Sequence, residues 1–356
     1  MSQEQPQAPS LGKGRFTRDI HGGDGDTVAR LLNVSNNDVL DLSVSLNPNP
    51  PDVVGIAKSH LDSISKYPNS SQAREALAEA LGVKSSSVIL TNGGAEAIAI
   101  VAQYLSCGWV EEPEFSLYKR YLAQIDESAP RFASNPNNPT GQLASEESRS
   151  EVWDEAFFQL ASGKWSRKDY ESGSIVLGSL TKLLACPGLR IGYIIVQDDK
   201  IAYELESRIP IWSINALACA IIPELIENLD LQQVKTCVDR HRSKLIEVLD
   251  EFDLPFIRSD ANYICVQTPQ FNLAQLSNII EEPHYQALRA QLNPASGAQL
   301  NPASGALFRC LLAGQRVVVR DCTSFGMDDY VRVAVPNEDG LEKFRIALDK
   351  ISSWRV

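Results

Sequence analysis

Apolar residues at Ala73, Ala76, Leu77, Ala80 and Leu81 recur at three- and four-residue steps through 71–82, the period of one helix face. Ser71 lies where an N-cap is expected and Gly82 supplies the stop. The pattern then changes. "SSVILTNGGAEAIAIVAQYL" opens on a short continuous apolar run, turns at a glycine pair, and continues as an apolar helix from about Ala95. A strand, a turn and a helix follow one another again in "SIVLGSLTKLLA". "RIGYIIV" and "RVVVRD" read as further apolar strands flanked by helical stretches. Alternation of this kind predicts an α/β core with a largely parallel sheet. Beyond it, "SINALACAIIPELIENL" and "QQVKTCVDRHRSKLIEVLDEF" predict two consecutive helices. "NYICVQT", a helix, "QRVVVRD", "DYVRVAVP" and a last helix from about Asn337 then predict a smaller α+β unit, with the boundary near 209–215. The octapeptide "QLNPASGA" stands twice in tandem, at 291–298 and 299–306, and its Asn-Pro and Ser-Gly pairs predict a loop.

Composition narrows the function classes. The chain has 356 residues, 44% apolar and 22% charged, which is ordinary for a globular protein able to bury a sizeable core. A net charge of −12 argues against nucleic acid or an anionic membrane as main partner, while leaving room for a local basic pocket. No apolar run approaches the roughly 18 residues of a transmembrane helix. "MSQEQPQAPSLGKGR" has no apolar core of a secretory signal and reads as a disordered lead-in. Seven cysteines, odd in number and without CxxC spacing, read as reduced, buried thiols of a cytoplasmic protein. The four histidines are scattered, with no HxxxH or HExxH, so a metal site has little support.

Candidate chemistry centres on "GSLTKLLACPGLRIGY", which places Lys182 inside a stretch otherwise suited to burial. Desolvation pushes a lysine towards its neutral, nucleophilic form, as Schiff-base chemistry requires. The plain alternative is a strand-end lysine with its head in water. "TNGGAEAIA" sets Gly93 and Gly94 at a helix start, an anion site if it is more than a strand-to-helix turn. "SNPNNPTGQ" is a rigid loop offering side-chain amides. Asp154, ending the apolar "VWD", could face a protonated ring nitrogen or cap a helix.

In combination and order, these segments resemble the fold-type I pyridoxal-phosphate (PLP) enzymes. The segments are Tyr-Pro, Asn-Gly-Gly-Ala-Glu, Pro-Glu-Phe-Ser-Leu-Tyr, Asn-Pro-Asn-Asn-Pro-Thr-Gly, Asp-Glu-Ala-Phe, Ser-Leu-Thr-Lys and Gly-Leu-Arg-Ile-Gly-Tyr. The branch is that of histidinol-phosphate aminotransferases and L-threonine-O-3-phosphate decarboxylases. "HGGD", "LDLSVSLNP", "CPGLR" and "VVVRDCTSFG" lean towards the decarboxylases of cobalamin synthesis.

The resemblance implies a three-layer αβα large domain with a mostly parallel sheet and a smaller α+β C-terminal domain. It divides the chain into a lead-in at 1–20, an N-terminal arm at 21–50 packing on the small domain, a shortened PLP-binding domain at 51–212 and a small domain at 213–356. It implies that Lys182 carries the cofactor and that Asp154 pairs with its ring nitrogen. Tyr118 would stack on the ring and Asn138 would bond its phenolic oxygen. The phosphate would take the N–H groups of Gly94, Ala95 and Glu96, the hydroxyls of Ser179 and Thr181, and Arg190. Tyr67 would reach the phosphate site of a neighbouring subunit in a homodimer with shared active sites. Arg332 would clamp a substrate carboxylate, and Arg320, with His21 and Asn47, a substrate phosphate.

The chain departs from the family in two short intervals, before Asn135 and before Asp154, where a strand and a helix are expected to be missing or compressed. Phe157 stands where a tyrosine is common. Three readings result: a PLP-dependent decarboxylase of a phosphorylated amino acid, a PLP-dependent aminotransferase of the histidinol-phosphate type, and a non-catalytic binding protein of the same fold.

Overall fold

The computed structural model describes residues 22–292 and 301–356. His21, the lead-in and much of the tandem repeat therefore lie outside the described residues. In chain order the strands are β1 (Leu40–Asp41), β2 (Val88–Asn92), β3 (Cys107–Gly108), β4 (Gln124–Ile125), β5 (Phe132–Ser134), β6 (Val152–Asp154) and β7 (Ile175–Ser179). They continue as β8 (Ile191–Ile195), β9 (Phe256–Ile257), β10 (Tyr263–Gln267), β11 (Val317–Val318), β12 (Arg320–Asp321) and β13 (Tyr330–Ala334).

The larger sheet has the order β2-β8-β7-β6-β5. β5, β6 and β7 run parallel, and β8 runs antiparallel to both of its neighbours. Only residues 180–190 separate β7 from β8, too few for the usual helical crossover, so the chain turns back antiparallel. That return brings the start of β8 against the end of β2, where Asn92 faces Ile191 and Thr91 faces Gly192. Both faces are covered, which explains the unbroken apolar runs. Val88, Leu90, Tyr193 and Ile195 pack towards helices Ser71–Leu81 and Ala216–Glu227, while Ile89, Leu177 and Ile194 pack towards helix Gly94–Leu105.

The two short intervals are accommodated by shrinkage. β3 and β4 form a parallel ladder of two residues each, and a bridge between Trp109 and Arg131 joins it to the β5 edge. The β5–β6 connection, residues 135–151, contains no helix. The Arg167 guanidinium holds it in place by donating to the carbonyls of Ser145 and Ser148, 3.1 and 2.6 Å away.

The second sheet has the antiparallel order β12-β13-β10-β9. Its core, built on Val266, Val331, Val333, Phe308 and Phe344, also takes in Val28 and Leu42 of the N-terminal arm. "RVVVRD" is not one strand. Val317–Val318 pairs with Leu40–Asp41, whereas Arg320–Asp321 pairs with β13. The change of partner sets Arg320 directly opposite Arg332, which in turn stands opposite Cys265. All seven cysteines are free thiols, and among the described residues no helix is long and apolar enough to cross a membrane.

Candidate active site

A cavity of ≈ 560 Å³ opens where the C-terminal ends of β5, β6 and β7 meet the second sheet and the N-terminal arm. Gly94, Ala95, Asn138, Asp154, Ser179, Thr181, Lys182, Arg190, Arg320 and Arg332 all line it, so most of the expected site residues converge on one space.

Lys182 follows β7 on a single helical turn, and its Nζ donates to the Val44 carbonyl at 2.8 Å. Burial pushes the amine down to about 8, and the positive charges of Arg332 and Arg190 push the same way. Asp154 ends β6. Its Oδ1 accepts the Ala156 N–H and its Oδ2 accepts the Tyr118 hydroxyl, each at 2.9 Å. Burial raises its carboxyl above the usual range, which these two hydrogen bonds oppose.

The glycine turn is fixed by close approach. Gly93 has φ 84°, and a Cβ there would collide with the Arg190 guanidinium. A Cβ on Gly192 would collide with the Gly93–Gly94 backbone. Gly94 and Ala95 begin the helix, so their N–H groups have no acceptor within it. Ser179 and Thr181 place their hydroxyls 3.3 Å from the Ile191 carbonyl on the same wall. Backbone N–H groups at a helix start, two hydroxyls and a guanidinium make an anion cradle.

At the opposite side, Arg332 donates to Asn138 Oδ1 and lies over the Tyr263 ring, 4.7 Å from its centroid. Arg320 donates to Ser324 Oγ at 2.8 Å and faces the Phe325 ring. Burial and the charge of Arg332 push the Arg320 guanidinium down to about 10. Arg320 Nη1 and Arg332 Nε are buried without a hydrogen-bond partner among the described residues. Two unsatisfied cationic donors of this kind call for an anionic ligand.

Three expected residues are placed differently. Tyr118 is 1% exposed, points its hydroxyl at Asp154 and does not line the cavity, whereas Phe115, Phe157 and Phe325 do. Glu96 turns its carboxylate away to the Asn92 N–H and Ser213 hydroxyl, and its own N–H binds the Gly93 carbonyl. Asn47 does not line the cavity: its amide donates to Leu183 O and its N–H to Lys182 O, so it braces the turn that carries the lysine. Tyr67, expected at a neighbouring chain's site and not at this one, is 77% exposed and stacks on Trp212. Phe157 packs its ring 5.7 Å from Lys182 Nζ, an apolar contact where a tyrosine hydroxyl would be polar. Ser134 and Phe325 line the cavity without having been singled out in the sequence, and Glu114, bonded to Ser134 behind that wall, was not singled out either. Glu114 did carry a signal, being a carboxylate wedged between Pro113 and an aromatic residue.

The comparisons agree with this geometry. The family model for aminotransferase class I and II matches residues 121–348. The chain belongs to that family. It is 30% identical to the threonine-phosphate decarboxylase of Salmonella typhimurium over 56% of this chain and 67% of that protein. It is 24% identical to the adenosylcobalamin biosynthesis bifunctional protein of Leptospira interrogans over 93% of this chain, but spans only 41% of that longer protein. The histidinol-phosphate aminotransferase of Sinorhizobium meliloti, solved with pyridoxal 5'-phosphate, superposes with a TM-score of 0.72 at 14% identity, covering 96% of this chain and 98% of that one. The fold is thus fold-type I, the protein is an enzyme, and its cofactor is PLP. The non-catalytic reading is set aside. The cavity fits that group: an anion cradle at one end, an amine with a lowered pKa, and a buried carboxylate on the floor. Bound there, PLP supplies an electron sink for the bonds to the Cα of an amino substrate.

Proposed function

We propose that this enzyme decarboxylates a phosphorylated amino acid, with L-threonine O-3-phosphate as substrate and (R)-1-aminopropan-2-yl phosphate as product, in cobalamin biosynthesis. The observation that carries the reading is the arginine pair. Arg320 and Arg332 stand opposite each other on adjacent strands, both 6% exposed or less, each with an unsatisfied nitrogen. Two buried cations side by side repel, and a substrate with two anionic groups, a carboxylate and a phosphate, relieves that repulsion. The similarity to a named threonine-phosphate decarboxylase supports the same choice.

In this reading Lys182 would hold the cofactor, Asp154 would keep its ring nitrogen protonated, and Gly94, Ala95, Ser179, Thr181 and Arg190 would hold its phosphate. Phe115 would pack against it in place of Tyr118, and Asn138 orients Arg332. The two arginines would fix rotation about the substrate's Cα bonds, and so would select the carboxylate, released as CO2, over the hydrogen as the group lost. Glutamate also presents two anions, so the same pair supports a second reading, amino transfer of the histidinol-phosphate type. Incubating the holoenzyme with threonine phosphate, and separately with histidinol phosphate and 2-oxoglutarate, decides between them. CO2 release in the first supports decarboxylation, and amine transfer in the second without CO2 release in the first overturns it.

A further inference from the structure

Behind the cofactor floor lies a second buried carboxyl group with no part in the reading above. Glu114 is 4% exposed and follows Pro113 in the segment that carries Phe115 and Tyr118. Its Oε1 accepts the Ser134 N–H at 2.8 Å and the Asn137 amide at 3.2 Å. Its Oε2 accepts the Phe115 N–H at 3.2 Å and stands 2.6 Å from Ser134 Oγ, at the short end of the range for O–H···O bonds. One side chain therefore ties the strand end of β5 to the loop bearing Asn138 and to the segment bearing Phe115.

The contact with Ser134 leads further. Ser134 and Asp154 are register partners on β5 and β6. Ser134 faces the Tyr118 phenol and favours its ionised form, and the Tyr118 hydroxyl lies 2.9 Å from Asp154 Oδ2. Glu114, Ser134, Tyr118 and Asp154 thus form one chain of oxygen atoms between two buried carboxyl groups. Every link joins groups able to both donate and accept in at least one protonation state.

We propose that Glu114 is a further positioning residue of this site, which holds a proton so that the two carboxyl groups at the ends of the chain share a single negative charge. With the proton on Glu114, its O–H donates to Ser134 Oγ, which also accepts the Asn138 N–H. The Ser134 O–H donates to Tyr118 and the Tyr118 O–H to Asp154, which is the carboxylate. Shifting each of the three hydrogens one place breaks three O–H bonds and forms three. Glu114 then becomes the carboxylate and Asp154 the acid, and no other reactant is needed. A cationic group facing Asp154 draws the charge to that end. Proton position in the wall is thereby coupled to what the cavity holds.

The electrostatics support the arrangement. Burial pushes the Glu114 carboxyl up to about 8, and the charge of Asp154 adds to the rise. Two like charges in this enclosure disfavour each other, so one proton is retained. The other titratable groups facing Glu114 are Tyr118 from helix Leu117–Tyr121 and Tyr263 from β10, both raised by burial, together with Glu112 of its own segment, whose carboxylate accepts the Glu114 N–H.

The inference rests on the cofactor assignment and not on the choice of substrate, and its first test uses the apo-protein. Infrared titration should show a buried carboxylic-acid carbonyl band lost with a midpoint near 8. Glu155, also buried and pushed up to about 8, contributes a similar band, so variants assign the steps. E114Q should remove one step and E155Q the other. D154N should move the Glu114 midpoint down by about one unit, because the repelling charge is gone. Ser134→Ala, which leaves both carboxyl groups in place, should move it up. In the holoenzyme, the cofactor's absorbance should shift across the Glu114 midpoint in the wild type and not in E114Q. An unchanged step in E114Q, an unmoved midpoint in D154N, or an identical cofactor titration in E114Q would each overturn the proposal. If E114Q does not fold, the Ser134→Ala midpoint decides, and no shift overturns it.

Discussion

Lys182 shows how position alone makes a reactive group. The side chain is an ordinary lysine, yet burial and two neighbouring guanidinium groups bring its amine down to about 8. The folded protein therefore binds fewer protons at this site than the unfolded chain between about 8 and the ordinary lysine value of 10.5. Its penalty on stability is fully present below about 8 and fades as pH rises through that window, at most about 3 kcal/mol and less where water enters the cavity. Lys182→Met should raise the melting temperature of the apo-protein at neutral pH, with the gain shrinking towards pH 10.5 in thermal denaturation. A gain independent of pH would mean that the amine is not desolvated. Borohydride reduction of the holoenzyme and peptide mapping should label Lys182 and no other lysine. Arg320 is tested by selectivity. Arg320→Ala should lower kcat/KM for a phosphorylated substrate by about 2–4 kcal/mol, the scale for removing one partner of a desolvated charge pair. The loss should be far smaller for the dephosphorylated amino acid, and equal losses would make Arg320 structural.

At the scale of elements, the site is a consequence of where β8 must go. Because its connection from β7 is short, it returns antiparallel and presses Gly192 against the glycine turn after β2. Gly192→Ala would drive a Cβ into the Gly93–Gly94 backbone, and the cradle, not the core, takes the distortion. We expect cofactor affinity to fall at least about tenfold, measured by equilibrium titration of apo-protein, with loss of stability held to about 1–3 kcal/mol. Equal cofactor affinity would show that the cradle does not set phosphate binding. This glycine turn, the strand before Lys182 and the paired helices 213–252 were all legible in the sequence, because each is a local change of apolar period. What was not legible depends on partners distant in the chain. "RVVVRD" reads as one strand, and nothing in its apolar pattern tells that Val317–Val318 pairs with the N-terminal arm while Arg320–Asp321 pairs with β13. Tyr118 and Phe115 lie three residues apart near a five-residue helix, and only packing against Phe132 and Asp154 decides which ring meets the cavity. Asn47 reads as a ligand by its motif, but its contacts with Lys182 and Leu183 make it a brace.

For the whole molecule, the surface carries an argument of its own. Val54, Leu61, Ile64, Tyr67, Ile211 and Trp212 are between 51% and 80% exposed. Tyr67 and Trp212 stack at 4.3 Å beside a groove that Arg74, Glu206 and Cys219 also line. Large exposed apolar side chains such as the Tyr67–Trp212 pair and neighbouring Ile211 are costly in water and mark an interface more often than a free surface. Tyr67 does not line its own chain's cavity, yet it follows helix Val53–Ser59 on a Pro- and Ser-bounded segment suited to reaching outward. On this basis the proposed homodimer has two sites, each built from one chain's Lys182 and the other's Tyr67. The idea is tested by complementation. Lys182→Ala lacks the amine in its own site but still offers Tyr67 to its neighbour, and Tyr67→Ala does the reverse. A mixed dimer then contains one site with both defects and one with neither. Unfolding and refolding the two inactive variants together should recover activity, up to about a quarter of the wild-type value at equal mixing, since random pairing makes half of the dimers mixed and each carries one intact site. Mixtures no more active than their parents, with subunit exchange demonstrated by mass spectrometry of the intact dimer, would place each active site within a single chain.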